Sequence, residues 1–349
     1  MFKRNRKWLL FGIIAIVAAG LALPSGADAA RKKRKKTIPL RAERDVVKTV
    51  KFAYSESATA IVPIVALQKG FLKAEGLNAT GKPLKSGAMA LSSVYGGSLD
   101  FGTTSNGRLV QWASKGWNMK TVAVNNTGFL AVVLVKNGDT TSKTMADLKG
   151  KKIAIQKGSG THIAWLRYLD KIGLSEKMFE MRYMRTSRIG AAMGTGTIDA
   201  AVPWYPFAKS ILNRKLGRQI IDKSEIETVA KVPYPFMLYT RSGFIKKHPG
   251  ITQKVVNAWV KSKRWIENNR EEAAKLFHKF STRRGKKLKM EDARFFIKIL
   301  DFKTDVWNEE MMADLKANQV LLKKLGKIKT TPNLYDYVDN SFVKKAGSM

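Results

Sequence analysis

Short apolar runs alternate with segments of helical periodicity along most of the chain. Residues 48–54 predict a first strand, and Ile61, Ile64, Val65 and Leu67 follow at helical spacing. Further strands are predicted at residues 79–84, 99–103, 121–124, 130–135, 152–155, 180–184, 198–202 and 235–240, and the chain beyond them is mostly helical. Strands that alternate with helices indicate an α/β fold with largely parallel sheets.

The same order of elements occurs twice. In each copy a helix ends at Gly-Leu, and a strand and a helix follow before Gly-x-[Leu/Ile]-Asp enters another strand. The first copy starts at Gly76 and reaches Asp100, and the second starts at Gly173 and reaches Asp199. A repeated unit of this kind predicts two similar lobes, each a doubly wound sheet flanked by helices.

Small polar residues follow the strands of both predicted lobes. Ligands of open parallel sheets bind at the carboxyl ends of strands, where helix N-termini present unpaired N–H groups. The candidate ligand-binding residues are Ser55, Ser57, Ser86, Gly87, Thr103, Thr104, Ser105 and Asn106 in the first lobe and Gly158, Ser159, Gly160 and Thr161 in the second. The competing interpretation is that they only cap the helices that follow.

Two further groups are candidates for the same site. Arg188, together with Arg185, stands at the start of a second-lobe helix, where a guanidinium can pair an anion. Trp204, Tyr205, Tyr234 and Phe236 are candidates to flank a flat ligand. The competing interpretation places the arginines on an exposed helix face and the aromatic rings in the core.

Composition and motifs argue against catalysis. The chain has no cysteine, which excludes disulfides and thiolate chemistry. His162, His248 and His278 lack the spacing of metal ligands. Neither a Gly-x-Ser-x-Gly motif nor a phosphate-binding loop is present. We therefore expect no metal, no cofactor and no enzymatic activity.

The net charge is +37, which suits nucleic acid, an anionic membrane surface or an anionic ligand. The basic residues are spread along the chain and are densest at residues 31–36 and 283–289. No recognisable nucleic-acid-binding module accompanies them, so we expect no nucleic-acid partner. A basic protein that binds membrane surfaces or nucleic acid is the alternative from another functional class.

Residues 1–29 have the pattern of a secretory signal peptide. Basic residues precede an apolar run at 8–23, and Ala27-Asp28-Ala29 supplies the small residues of a cleavage site. The uncharged run is nearly long enough to cross a bilayer, so a retained membrane anchor is the alternative. Residues 30–47, which include six consecutive basic residues, predict a disordered basic arm.

Six segments carry a resemblance to one protein family. They are ALQKGFL at 66–72, GSLDFG at 97–102, DLKGKKIA at 147–154, GSGT at 158–161, DAA at 199–201 and FIKKHP at 244–249. The chain resembles the substrate-binding proteins of ABC importers for sulfonates, taurine and nitrate, whose relatives include binders of a thiamine pyrimidine precursor. The resemblance implies the two-lobed type II periplasmic binding protein fold, with a ligand cleft between the lobes.

In that fold, residues 48–136 and 233–349 would form lobe 1, and residues 137–232 would form lobe 2. The resemblance implies a monomeric periplasmic protein that captures a small organic anion, sulfonate- or nitrate-like, by closure of the lobes and serves a membrane permease. Relatives often carry an acidic residue where Tyr205 stands, so a taurine-like amine would lack its partner here. A pyrimidine-type thiamine precursor or another heterocycle is the alternative ligand.

Overall fold

This computed structural model describes residues 49–347. They contain two five-stranded β-sheets. The predicted signal peptide and basic arm lie outside the described residues. Within residues 49–347, no helix has both the length and the apolar character needed to cross a membrane.

The nine strands predicted from the sequence occur in the expected order, and the structure adds one more at residues 217–221. The strands are β1 (Val50–Ser55), β2 (Ala79–Leu84), β3 (Phe101–Ser105), β4 (Met119–Asn126), β5 (Val133–Lys136), β6 (Lys152–Ile155), β7 (Glu180–Tyr183), β8 (Ala200–Ala201), β9 (Gly217–Ile221) and β10 (Phe236–Arg241). The helices are α1 (Ile61–Gln68), α2 (Phe71–Ala74), α3 (Gly87–Tyr95), α4 (Gly107–Ser114), α5 (Gly160–Lys171), α6 (Thr186–Gly194), α7 (Phe207–Asn213), α8 (Lys223–Ala230), α9 (Ser242–Lys247), α10 (Pro249–Asn268), α11 (Arg270–Arg283), α12 (Met290–Lys298), α13 (Glu309–Lys324) and α14 (Ser341–Gly347).

The first sheet has the strand order β2-β1-β3-β10-β4. β1 runs parallel to β2 and β3, and β10 runs antiparallel to both of its neighbours. Phe52 and Phe101 pair across β1 and β3, and the Phe52 ring stacks on Trp259 of α10 at 5.6 Å. Trp259 is completely buried, as the apolar face of this helix predicts.

The second sheet has the order β7-β6-β8-β5-β9 and repeats the topology of the first. β6 lies between parallel β7 and β8, as β1 lies between β2 and β3, and β5 takes the antiparallel position of β10. The two similar α/β lobes predicted from the sequence are confirmed. We call the first sheet with its helices lobe 1 and the second sheet with its helices lobe 2.

One strand belongs to a different lobe from the one expected. Residues up to 136 were assigned to lobe 1, but β5 pairs with β8 and β9 in the second sheet, with Leu134 opposite Ala201. The chain therefore crosses to lobe 2 between Asn126 and Val133. An apolar run reveals that a strand is buried, but it does not reveal which of two sheets receives the strand.

The C-terminal helix α13 contacts both lobes, since it packs against α4 of lobe 1 and α5 of lobe 2. Asp314 of α13 is buried and bonds both Asn106 of lobe 1 and Arg167 of lobe 2. Lys324, near the end of the helix, pairs with Asp170 of lobe 2 at 3.0 Å. Part of the segment assigned to lobe 1 thus spans the junction between the lobes.

Candidate ligand-binding site

A small cavity lies between the lobes at the carboxyl ends of their strands. Its lining consists of Ser55, Ser57, Gly87, Thr104, Ser105, Arg108 and Phe236 from lobe 1, Gln156, Ser159, Gly160, Thr161 and Trp204 from lobe 2, and Leu130 and Tyr234 from the two segments that cross between the lobes, 127–132 and 231–235. The cavity volume is about 50 Å³, which is room for a few water-sized groups. The lobes meet beside it, where Gln111 donates to the Gly158 carbonyl and Gly160 lies against Ser105.

The first wall follows β1, where three hydroxyl groups form a hydrogen-bonded row. The Ser55 and Ser57 oxygens are 2.9 Å apart, and the Ser57 and Thr59 oxygens are 2.8 Å apart. A hydroxyl can both donate and accept, so the row can reorient its protons toward an incoming ligand. Ser55 and Ser57 line the cavity, as the polar residues after this strand suggested.

Gly87 and Thr104 meet at the second wall, where α3 begins beside the end of β3. A Cβ on Gly87 would collide with the Thr104 hydroxyl, so the absence of a side chain lets the two elements approach. Ser86, the residue before, lies outside the lining and caps α3 instead, accepting the Met89 N–H at 3.4 Å. For Ser86 the capping interpretation is the better one.

The residues at the end of β3 divide between lining and support. Ser105 lines the cavity, but the buried Thr103 does not. Asn106 is also absent from the lining because it caps α4, accepting the Gly107 N–H at 2.8 Å, and donates to Asp314. Thr103 and Asn106 are therefore predicted site residues that the structure does not place in the cavity wall.

In lobe 2, the loop before α5 supplies the opposite wall. Ser159 lines the cavity and also caps α5, accepting the His162 N–H at 3.1 Å. A Cβ on Gly160 would collide with the hydroxyls of Ser105 and Tyr234, so the lobes touch here through a glycine. Gly158 lies outside the lining; it has a positive φ of 65°, a conformation that glycine adopts readily.

Tyr234 closes the cavity from the segment that returns to lobe 1. Its hydroxyl is hydrogen-bonded to the side chains of Thr161 and Ser105, one from each lobe. Burial raises the pKa of Tyr234 well above its usual value, so the phenol stays neutral. Its ring stands edge-on to Phe129 at 4.8 Å. As predicted from the sequence, Tyr234 and Thr161 line the cavity.

Arg108 is the charged member of the lining, and its sequence pattern does not indicate this position. It lies in the first turn of α4, half-buried, and its Nη1 donates to Gln111 Oε1 at 2.8 Å. Burial lowers its pKa from the usual arginine value, but a guanidinium stays protonated at neutral pH. Across residues 49–347, no carboxylate lines the cavity or pairs with Arg108.

Gln156 and Leu130 are the other lining residues that the sequence pattern did not indicate, whereas Phe236 was among the aromatic candidates. Gln156 directly follows β6, and its Oε1 accepts the Thr186 N–H at 3.1 Å, which holds the start of α6. Leu130 lies in a crossing segment and Phe236 begins β10, and both apolar side chains resemble ordinary core residues. The cavity therefore has a polar floor at the strand ends and an apolar wall that includes Trp204.

Three residues that were candidates for the site do not line the cavity. Arg185 and Arg188 are exposed and lie outside the lining, because the start of α6 is already held by Gln156. Tyr205 is buried in the core, with its ring 5.1 Å from Phe295. Burial raises the pKa of Tyr205 to about 12. The residue type at position 205 therefore does not act on this cavity directly.

No three His, Cys, Asp or Glu side chains converge into a potential metal site in the described part of the chain. The polar atoms of the cavity are hydroxyls, amides and one guanidinium. Such a set can hold an anion through hydrogen bonds and one charge. The arrangement contains no nucleophile paired with a general base.

Comparison with known proteins agrees with this architecture. The model of the NMT1-like family matches residues 44–278. A putative binding protein of Brucella abortus is 27% identical over 220 residues, which covers 63% of this chain and 67% of that protein. A putative aliphatic sulfonates-binding protein of Bacillus subtilis is 24% identical over 344 residues and covers 96% of each chain.

The fold of this chain is also similar to that of a solved structure. The alkanesulfonate-binding protein SsuA of Xanthomonas axonopodis pv. citri, bound to MOPS, aligns with a TM-score of 0.73 at 18% identity. The alignment covers 84% of this chain and 98% of that one. The likeness confirms the two-lobed binding-protein fold predicted from the sequence.

Proposed function

The chain belongs to the NMT1-like family, and from this premise we propose that it is the solute-binding component of an ABC importer for a small organic anion. The observation that carries the proposal is Arg108, a half-buried cation in the cavity wall with no carboxylate partner among the described residues. An unneutralised guanidinium between the two lobes strongly favours a negatively charged ligand over a neutral or cationic one.

The rest of the lining suits an anion with several oxygen atoms and an apolar end. The hydroxyls of Ser57, Thr104 and Ser159 can each donate a hydrogen bond to such a ligand. Trp204 and Phe236 offer apolar surface for an alkyl group. The relatives named as sulfonate-binding proteins in Bacillus and Xanthomonas support a sulfonate, and a nitrate-like anion satisfies the same donors.

Capture requires the lobes to separate and close again. The cavity, at about 50 Å³, is small for an organic anion as the lobes now stand, and Gln111 of lobe 1 donates to the Gly158 carbonyl of lobe 2 at 2.9 Å. Hinge closure around a ligand is a common motion of two-lobed binding proteins. The two crossing segments, 127–132 and 231–235, are where the hinge would bend.

Location and partners follow from the same proposal. A solute-binding component works outside the cytoplasmic membrane and delivers its ligand to the importer's permease. In this proposal residues 1–29 export the chain to the periplasm and the protein acts as a monomer without catalysis. The sulfonate-binding relatives are described as binding proteins, which supports this reading.

A ligand panel tests the class of ligand. We expect MOPS, short alkanesulfonates or nitrate to raise the melting temperature, because a ligand at 100 times its dissociation constant stabilises the folded state by about 2.7 kcal/mol. Sodium chloride at equal ionic strength is the control, since a chain of net charge +37 attracts anions without a site. A saturable shift with a pyrimidine, together with none from the anions, would favour the heterocycle alternative and contradict the proposal.

A further inference from the structure

A buried histidine lies just behind the cavity and is not part of its lining. His162, in the first turn of α5, is 1% exposed. Its Nε2 is 2.6 Å from Glu176 Oε1, and its Nδ1 is 2.9 Å from the backbone nitrogen of Gly158. Glu176 also accepts from Tyr183 at 2.7 Å and pairs with Lys327 at 2.8 Å.

These contacts determine where the proton of His162 resides. A backbone N–H can only donate, so Nδ1 must accept from Gly158 and the proton must sit on Nε2. Burial alone would raise the pKa of Glu176, but hydrogen bonds from His162, Lys327 and Tyr183 lower it to about 2. The ionised carboxylate accepts the Nε2 proton and holds the imidazole in this tautomer.

Beyond Gly158 the hydrogen bonds continue into the other lobe. The Gly158 carbonyl accepts from Gln111 Nε2 at 2.9 Å, and Gln111 Oε1 accepts from Arg108 Nη1 at 2.8 Å. Because Nε2 can only donate, the bond to Gly158 turns Oε1 of the same amide toward Arg108. The amide is held at both ends only while Gly158 of lobe 2 meets α4 of lobe 1.

We propose that Glu176, His162, Gly158 and Gln111 form one hydrogen-bonded chain that aims the Arg108 guanidinium into the cavity when the lobes close. His162 and Gln111 are positioning residues in this chain, because they act on the ligand only through Arg108. The chain makes the strength of the anion site depend on closure. This inference rests on the proposed function, because it assumes that Arg108 contacts the ligand.

The binding test uses MOPS as the probe and compares two substitutions of one residue. In His162→Asn the side-chain Oδ1 takes the place of Nδ1 and still accepts the Gly158 N–H, whereas His162→Ala offers no acceptor. We expect His162→Ala to weaken MOPS binding about tenfold and His162→Asn to restore most of the affinity. Equal losses in the two variants would overturn the proposal.

A double substitution tests whether the chain acts as a unit. Gln111→Leu removes both amide contacts at similar volume, and the His162 and Gln111 side chains are linked through Gly158. If both act through Arg108, the variant His162→Ala/Gln111→Leu should bind MOPS no more weakly than the worse single variant. Multiplied losses in the double variant would show independent effects and overturn the proposal.

A spectroscopic measurement separates this inference from the proposed function. In ¹⁵N-histidine-labelled protein we expect the spectrum of a neutral ring protonated at Nε2. With MOPS at saturation, which favours closed lobes, the Arg108 guanidinium signals of ¹⁵N-arginine-labelled protein should be restricted in the wild type and in His162→Asn but mobile in His162→Ala. A proton on Nδ1, or unchanged arginine signals in His162→Ala, would overturn the chain. Absence of MOPS binding to the wild type would instead count against the proposed function.

Discussion

The Ser159 hydroxyl lies both at the N-terminus of α5 and at the cavity wall. It accepts the His162 N–H at the start of α5 and also lines the cavity. Ser86 shows the first property alone, since it caps α3 and lies outside the lining, and Thr104 shows the second alone. The sequence presented capping and ligand binding as competing explanations, but at Ser159 the structure allows both.

These three residues give a matched set of substitutions. Loss of a cap costs about 1 kcal/mol of stability, and loss of a hydrogen bond to a ligand costs about 0.5–1.5 kcal/mol of binding free energy. We expect Ser86→Ala to lower the free energy of unfolding only, Thr104→Ala to lower anion affinity only, and Ser159→Ala to lower both. Urea denaturation and calorimetric titration measure the two quantities. Unchanged affinity in both Thr104→Ala and Ser159→Ala would show that these loops support helices and do not bind the ligand.

The sequence does not reveal the direction in which each side chain at the site points. Ser55, Thr104 and Ser159, which were proposed as ligand-binding residues because they follow strands, line one cavity because the ends of parallel strands converge. Trp204 and Tyr205 are neighbours in the chain, but Trp204 forms an isolated β-bridge with Ala131 and Tyr205 begins a turn, so their side chains diverge. Trp204 therefore faces the cavity and Tyr205 faces the core.

Arg108 was missed for a related reason. An arginine in the first turn of a helix usually faces solvent, and nothing in its own segment distinguishes it from Arg185 or Arg188. Its half-burial comes from the approach of lobe 2, whose Gly158 lies beside the Gln111 that holds it. Such a contact joins residues far apart in sequence, and local patterns do not encode it.

At the scale of elements, the duplicated βαβαβ pattern predicted the topology well. Both sheets place the first strand of the repeat between the second and third, and each receives one antiparallel strand from a segment near the crossing. The lobe of β5 and the contact of α13 with both lobes were not predictable, because each depends on packing between distant segments.

Glu176 joins several elements and gives a prediction for pH dependence. It bonds His162 of α5, Tyr183 of β7 and Lys327 after α13, and its pKa falls to about 2 from an ordinary value of 4.5. The unfolded chain binds a proton at higher pH than the folded chain does, so this part of the stability is present above about pH 4.5 and is lost as the pH falls toward 2. We expect Glu176→Gln to flatten the acid limb of a plot of unfolding free energy against pH.

The matched control for this measurement is Glu291→Gln. Glu291 pairs with Lys289 on the surface, where both side chains are about two-thirds exposed. Exposed pairs of this kind contribute little to stability, so the acid limb should keep its wild-type slope in this variant. An unchanged slope in Glu176→Gln would show that its bonds with His162, Tyr183 and Lys327 do not stabilise the fold.

At the scale of the whole molecule, the net charge of +37 complicates any claim of specific anion binding. Long-range attraction raises the local concentration of every anion and weakens with added salt. A specific binding site differs from this long-range attraction because its affinity depends more on one cation in the cavity wall than on the total charge of the protein. The informative comparison is therefore between variants that lose the same charge at different places.

Calorimetric titration of MOPS at about 0.15 M salt tests the central claim most directly, with Arg108→Gln and Arg188→Gln as the two variants. Both remove one positive charge, but only Arg108 lines the cavity, and Arg188 is exposed outside it. We predict that Arg108→Gln loses about 1.5–3 kcal/mol of binding free energy, as expected for a hydrogen bond to a charged group, while Arg188→Gln binds as the wild type does. Equal affinities in the two variants would contradict the claim that Arg108 makes this cavity an anion site.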